Sequence, residues 1–210
     1  MALLKQDELN NLAIPYDRYF GEMGLSEEEI ERRIRLAETL DDVFILLFLL
    51  ISADLSLGNR IDKNYYIDYL VRNYEDALVE FGIDIQEEYP GIPAHIVDTA
   101  QEVIEQIVDD PDEEWNLSDD RAQLIAENET NSICEYTVFQ DAVKSGKTQK
   151  TWNTMVDAKV RHTHADLESL TIPIMATFKV GNYEMYQPKD TSLGAGMEEI
   201  ANCRCWCSYL

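Results

Sequence analysis

SGKTQKTWNTM, residues 145–155, is the stretch on which the fold turns. Before it runs a helical pattern. Ser118 offers a capping hydroxyl, and from there to Gly146 the chain reads as one amphipathic helix with Ile125, Ile133, Val138 and Val143 as core positions. Gly146 ends that helix. Beyond it KTWNTM reads as a strand, VDAKVRHTH (156–164) as a polar turn, and TIPIMATFKV (171–180) as β-rich. Gly181-Asn182 marks a tight turn, Pro188 to Asp190 and SLGAG are loops, and MEEIANCRCWC (197–207) closes as a short helix or strand. The expectation is a long helix leading into a small β-rich domain.

Upstream of residue 118 the pattern is helical throughout. Ser26 followed by Glu29 has capping-box spacing, and Ile30, Ile34 and Leu36 begin an apolar stripe. The stripe leads into VFILLFLLISA (43–53), the one strongly apolar run. Eleven residues fall short of the roughly 20 that span a bilayer, and acidic residues flank them, so the run is expected as a buried helix at the centre of a bundle. Gly58-Asn59 breaks it. A second helix carries Tyr66, Leu70, Tyr74 and Leu78 at fourfold spacing with Gly82 as its C-cap. A third, after YPGIP, aligns Ile96, Ala100, Val103 and Ile107. DDPDEEWNLSDD (109–120) is acidic, has little to bury and reads as a boundary. His95 stands alone near a helix start and is expected to be structural. The fold class is therefore α+β, with an acidic helical region at 1–117 and a β-rich domain at 118–210.

Charge divides along the same line. The chain carries a net charge of -24, and residues 1–120 hold 30 acidic against 8 basic side chains while residues 121–210 hold 11 against 9. So negative a first part repels nucleic acid and anionic membrane and suits a basic protein partner, or simply maintains solubility. The opening MALLKQDELNNLAIPYDRYF lacks a long apolar core after a basic stretch, so no export signal is expected. That in turn lowers the expectation of disulfides. Residues 1–108 carry no phosphate-cradling glycine loop, nucleophile motif or metal-ligand spacing.

The chemistry-bearing side chains gather late. Asp157, Arg161 and His164 share one polar turn, where Asp157 and Arg161 are spaced for a salt bridge. Three of the four cysteines, Cys203, Cys205 and Cys207, alternate near the end; the fourth is Cys134. His164, Cys203 and Cys205 are ligand types that zinc prefers, with His162 or Cys207 as a fourth. The one-residue spacing is tighter than the usual knuckle and is expected to need a turn at Arg204. Three readings stay open: a structural zinc, a buried polar cluster with the cysteines as small hydrophobes, or a disulfide from Cys203 to Cys205 or Cys207. Cys205 with His164 is also the pair to inspect for a thiol nucleophile, though no oxyanion-hole signature accompanies it.

Taken together these residues resemble the phage Mu F-type head morphogenesis domain over about 121–205. Arg121, Ala122, Ile125, Ala126, Glu129 and Asn131 fit its helix pattern. Trp152 fits its tryptophan strand, and Asp157, Arg161 and His164 fit its turn. Phe178, Pro188 and Asp190 follow in order, and Asn202, Cys203, Arg204 and Cys205 form the terminal Asn-Cys-Arg-Cys. Glu127 and Asn128 stand where the family has arginine and threonine, and Glu168-Ser169 stand where it has Asp-Gly. The resemblance implies a minor capsid protein of a tailed phage or prophage, with no catalysis. It implies a structural role at the portal vertex, portal or capsid partners, and location in the virion after assembly in the host cytoplasm. Proteins of this type also enter the cell with the DNA. The domain occurs joined to toxins as well, and only five residues follow Cys205, which favours the capsid role. An acidic binding or inhibitor protein, such as a DNA mimic, is the alternative that charge alone supports.

Overall fold

The computed structural model describes residues 15–210, so the opening stretch read for an export signal lies largely outside them. Helices α1 (Tyr16–Gly21), α2 (Glu27–Ser56), α3 (Lys63–Glu80), α4 (Ile92–Asp109) and α5 (Asp119–Lys144) come first. Then follow β1 (Gln149–Asn153), α6 (His162–Ala165), β2 (Thr171–Pro173), β3 (Phe178–Val180), β4 (Tyr183–Met185), α7 (Met197–Ile200) and β5 (Trp206–Tyr209). The class is α+β, as the change of pattern at Gly146 requires; that glycine sits at φ 78°.

Two compact units divide these elements, and they do not follow chain order. One contains residues 36–126, the other 16–35 together with 127–210. The short stretch 16–35 thus belongs with the β-rich unit and not with the acidic helices.

The helical unit is built on the faces that the spacing marks. Tyr66, Leu70, Tyr74 and Leu78 of α3 are buried, as are Ile96, Ala100, Val103 and Ile107 of α4. Asp62 caps α3 by accepting from the Tyr65 N–H at 3.2 Å, and Gly82 follows its end at φ 71°. Phe44 and Tyr74 meet edge to face at 6.2 Å. The apolar run 43–53 is buried on one side only: Phe44, Leu47, Phe48 and Ile51 are covered, whereas Leu46 and Leu49 are 54% and 60% exposed. A helix apolar all round has an outer face even in a bundle, and this one keeps it uncovered within the described residues. No helix of the described residues is long and apolar enough to cross a membrane. The acidic stretch 109–120 is more ordered than a linker. It holds a 3-10 turn, Glu114–Leu117, whose Asn116 donates to the carbonyls of Gln106 and Asp110.

In the β-rich unit β1 is the central strand of a three-stranded antiparallel sheet ordered β2-β1-β5. Trp152 lies opposite Cys207, and Thr151 opposite Thr171. Strands β3 and β4 form a separate hairpin around Gly181, at φ 58°. The core gathers Trp152, Leu167, Phe178, Val180, Met185 and Ile200 with Cys203, Cys205 and Cys207. Here α5 departs from the expected amphipathic reading. Ile133 is buried, but Val138 and Val143 are only half-buried; the covered positions include Glu127, Glu129, Thr130, Asn131 and Glu135. Ile125, in the part of α5 that belongs to the helical unit, is half-buried too. Burying a polar face is costly unless its groups meet partners. Arg33 supplies the main one: it donates to Asn131, to Glu135 at 2.9 Å and to Glu29 at 2.9 Å, and it is 1% exposed. The Cys207 N–H donates to the second oxygen of Glu135 at 3.0 Å, so one carboxylate joins a helix to the closing strand.

Candidate metal centre

Three donors converge at the end of the chain. The Nδ1 of His164 lies 3.4 Å from the sulfur of Cys203 and 3.4 Å from that of Cys205. All three ligand atoms fall within 4.8 Å of one another, and all three residues are buried. A tetrahedral zinc with Zn–N of about 2.0 Å and Zn–S of about 2.3 Å puts nitrogen and sulfur roughly 3.6 Å apart, close to what is seen. His164, Cys203 and Cys205 therefore form a group able to hold a metal ion.

Several elements set this geometry. His164 is carried by the one-turn α6, whose entry is fixed by Arg161 donating to the Ala201 carbonyl. Its ring stands edge to face against Trp152, at 5.5 Å. Its other nitrogen, Nε2, lies 3.1 Å from Glu199 on α7, and Glu199 also accepts from the Thr163 hydroxyl at 2.7 Å. With Nε2–H donating to the carboxylate, the Nδ1 lone pair faces the two sulfurs. Outer carboxylates orient metal-binding histidines in this way. Gly181 leaves the room for Glu199, since a Cβ there would sit 2.4 Å from its carboxylate oxygen.

The cysteines are placed from the other side. Asn202 adopts a left-handed φ of 55°, and its N–H donates to the Asn128 side chain at 2.8 Å while the Asn128 amide donates back at 3.2 Å. The buried ammonium of Lys189 donates to the same Asn128 oxygen. The Cys203 carbonyl accepts from Tyr19 at 3.2 Å and from Asn131 at 3.1 Å. No turn at Arg204 is needed. Residues two apart on extended chain share a face, so both sulfurs reach one imidazole while Arg204 points to Asp157 and, at 3.3 Å, to Glu22.

The electrostatics suit a metal ligand. A hydrogen bond from Cys205 holds the Cys203 thiol well below the usual thiol range, against the effect of burial, with His164 and Lys189 adding to the fall. Cys205 is pushed up by that same partnership and then by burial. Burial draws Lys189 down to about 8. Beside the donors lies a small half-open hollow of about 20 Å³, lined also by Met155, Lys159, Val160, Arg161, Asn202 and Arg204.

Some expectations change. Asp157 pairs with Arg204 and not with Arg161, because Arg161 is spent on Ala201. Neither His162 nor Cys207 joins the donors. The His162 side chain is 90% exposed and faces Asp166, and Cys207 lies opposite Trp152 with its thiol raised by burial first and Glu135 second. All four cysteines are thiols, not disulfides. Phe178 packs edge to face on Trp152 at 5.1 Å. Pro188 is buried, and Asp190 accepts from the N–H groups of Tyr186 and Ser192, which shapes the loop that carries Lys189. Arg121, Ala122 and Ala126 belong to the other unit. There Arg121 donates to Gln106 at 2.7 Å and lies over the Phe48 ring. Sequence reading did not single out Glu199, Asn128, Lys189, Tyr19 or Arg33 for this cluster. Only Asn128 carried a signal, as a departure from the family's helix pattern. No family model, curated protein or solved structure matches this chain.

Proposed function

We propose that this chain is a minor capsid protein of a tailed phage or prophage. It acts structurally at the portal vertex during head assembly and is carried in the virion. One observation supports the reading most: two short segments of the resemblance about 40 residues apart, with Asp157, Arg161 and His164 on one and Asn202, Cys203, Arg204 and Cys205 on the other, gather in one polar cluster. A motif set whose members meet in space is better explained by shared ancestry than by chance spacing. The cluster ties strand, turn and chain end together, so its role is to hold the unit's shape, and a structural zinc on His164, Cys203 and Cys205 is the cofactor that fits. Portal or capsid proteins are the partners. The test is mass spectrometry of purified virions from a host strain carrying the gene. A few copies per portal are expected, and absence from particles in cells that express the protein would overturn the proposal.

A second reading has its own support. The exposed Leu46, Leu49 and Leu50 lie along one side of α2, with exposed Leu57 just beyond its end, which suits an acidic protein that binds a basic partner with an apolar patch. Capture of a host protein with a basic, apolar surface, abolished in Leu46→Glu/Leu49→Glu, would favour that reading. Capture that survives this double change would count against it.

A further inference from the structure

We propose that the Cys203–Cys205–His164 centre, once metallated, keeps its fourth coordination position for a small anion, a carboxylate among them, entering from the adjoining hollow. This rests on the metal reading above and goes beyond a closed structural site. Within the described residues the donor group has three members, and no further histidine, cysteine or carboxylate joins it. Structural zinc sites are closed by four protein ligands, whereas three protein ligands leave a position for solvent or substrate. The hollow opens directly on the donors: His164, Cys203 and Cys205 all contribute to its wall. Its remaining wall carries three cationic side chains, Lys159, Arg161 and Arg204, and no carboxylate. Of the acidic groups around it, Asp157 is spent on the Arg204 guanidinium and the Lys159 N–H, and Glu199 is held by the far nitrogen of His164 and the Thr163 hydroxyl.

Charge balance selects the ligand. A divalent ion with two thiolates and a neutral imidazole is neutral overall, so an anion in the fourth position brings one uncompensated negative charge. Lys159, and Arg161 whose partner is the neutral Ala201 carbonyl, are there to meet it, whereas Arg204 is already paired with Asp157 and Glu22. A neutral ligand would leave the Lys159 ammonium facing the hollow without a counter-charge. Met155, which also lines the hollow, is the one side chain in its wall whose thioether could close the site instead.

Cobalt substitution separates these cases. The reduced, metal-stripped full chain is titrated with Co²⁺ in chloride-free buffer, and the cobalt protein is then titrated with azide while its visible spectrum is followed. Expected is one cobalt per chain with a sulfur-to-cobalt charge-transfer band that weakens in Cys203→Ser and is lost in Cys203→Ser/Cys205→Ser. Azide should then shift the ligand-field bands saturably. Lys159→Met, a change on an exposed side chain, should weaken azide several-fold without altering cobalt affinity. A cobalt spectrum indifferent to saturating azide overturns the open position and leaves the metal reading standing. Failure to bind cobalt, or a charge-transfer band that survives Cys203→Ser/Cys205→Ser, overturns both.

Discussion

Arg33 shows at single-residue scale how this protein buries charge. Its guanidinium is nearly inaccessible and meets Glu29, Asn131 and Glu135, and Glu135 in turn receives the Cys207 N–H. Removing one member strands the others in a poorly solvated interior, which typically costs about 3–5 kcal/mol. Arg33→Met should lower the unfolding free energy by about that amount in urea titration. Arg33→Met combined with Glu135→Leu should cost less than the sum of the single changes. Gly24 makes a second prediction. A Cβ there would lie 2.8 Å from the Trp206 ring, so Gly24→Ala should destabilise by about 1–3 kcal/mol in the same measurement. Neither position was legible in the sequence. Arg33 lies between Ile30 and Ile34, where a helical stripe is naturally read from its apolar members, yet those two are only half-buried and the arginine is covered.

Among elements, the helices of the acidic region were the most legible, because periodicity and caps agree. Asp62 precedes the stripe of α3 and accepts its Tyr65 N–H, so Asp62→Ala should cost about 1 kcal/mol, read from the denaturation midpoint. Helix α5 was legible in its ends and not in its face. Its limits follow from Ser118, which accepts the Arg121 N–H at 3.2 Å, and from Gly146. Its buried side carries polar residues, however, and a search for apolar repeats passes over them. β1 and the β-rich stretch that holds β2 and β3 were legible; β4 was not, the closing segment stayed open between helix and strand, and the pairing was hidden because β1 pairs with β5, more than 50 residues on. Lys150 on β1 gives a pH-dependent prediction. Its ammonium is buried among the rings of Phe139, Phe178 and Tyr186, 4.8 to 5.3 Å from their centres, with no hydrogen-bond partner. Burial lowers it to about 8, partly offset by Cys207 and Asp190. Between pH 8 and the ordinary lysine value the unfolded chain holds this proton and the folded chain does not, so this group's contribution to stability rises with pH. The deficit of the wild type relative to Lys150→Met should therefore stay level below about pH 8 and shrink as pH is raised from about 8 toward the ordinary lysine value, by chemical denaturation at each pH.

On the scale of the whole molecule, what the sequence placed far apart the fold collects in the β-rich unit. The Asp157–His164 turn, the Asn202–Cys205 segment and the first turns of α2 all enter its buried polar network. The terminal cysteines could be read beforehand as closing a small domain, because three of four fall in the last eight residues. Which histidine they meet could not, since His162 and His164 are two apart and only the short α6 turns one inward and the other out. The exposed leucines of α2 were missed for a related reason: hydropathy reports how apolar a run is and not which side of it finds cover. The cluster's central claim is that Cys203, Cys205 and His164 hold a metal, and metal content tests it most directly. Elemental analysis of the protein purified under reducing conditions should find one zinc per chain. Cys203→Ser or His164→Ala should lose it with a sharp fall in Tm, because binding energy is then folding energy. Protein that is folded, metal-free and unchanged in Tm by zinc or by either substitution would contradict it.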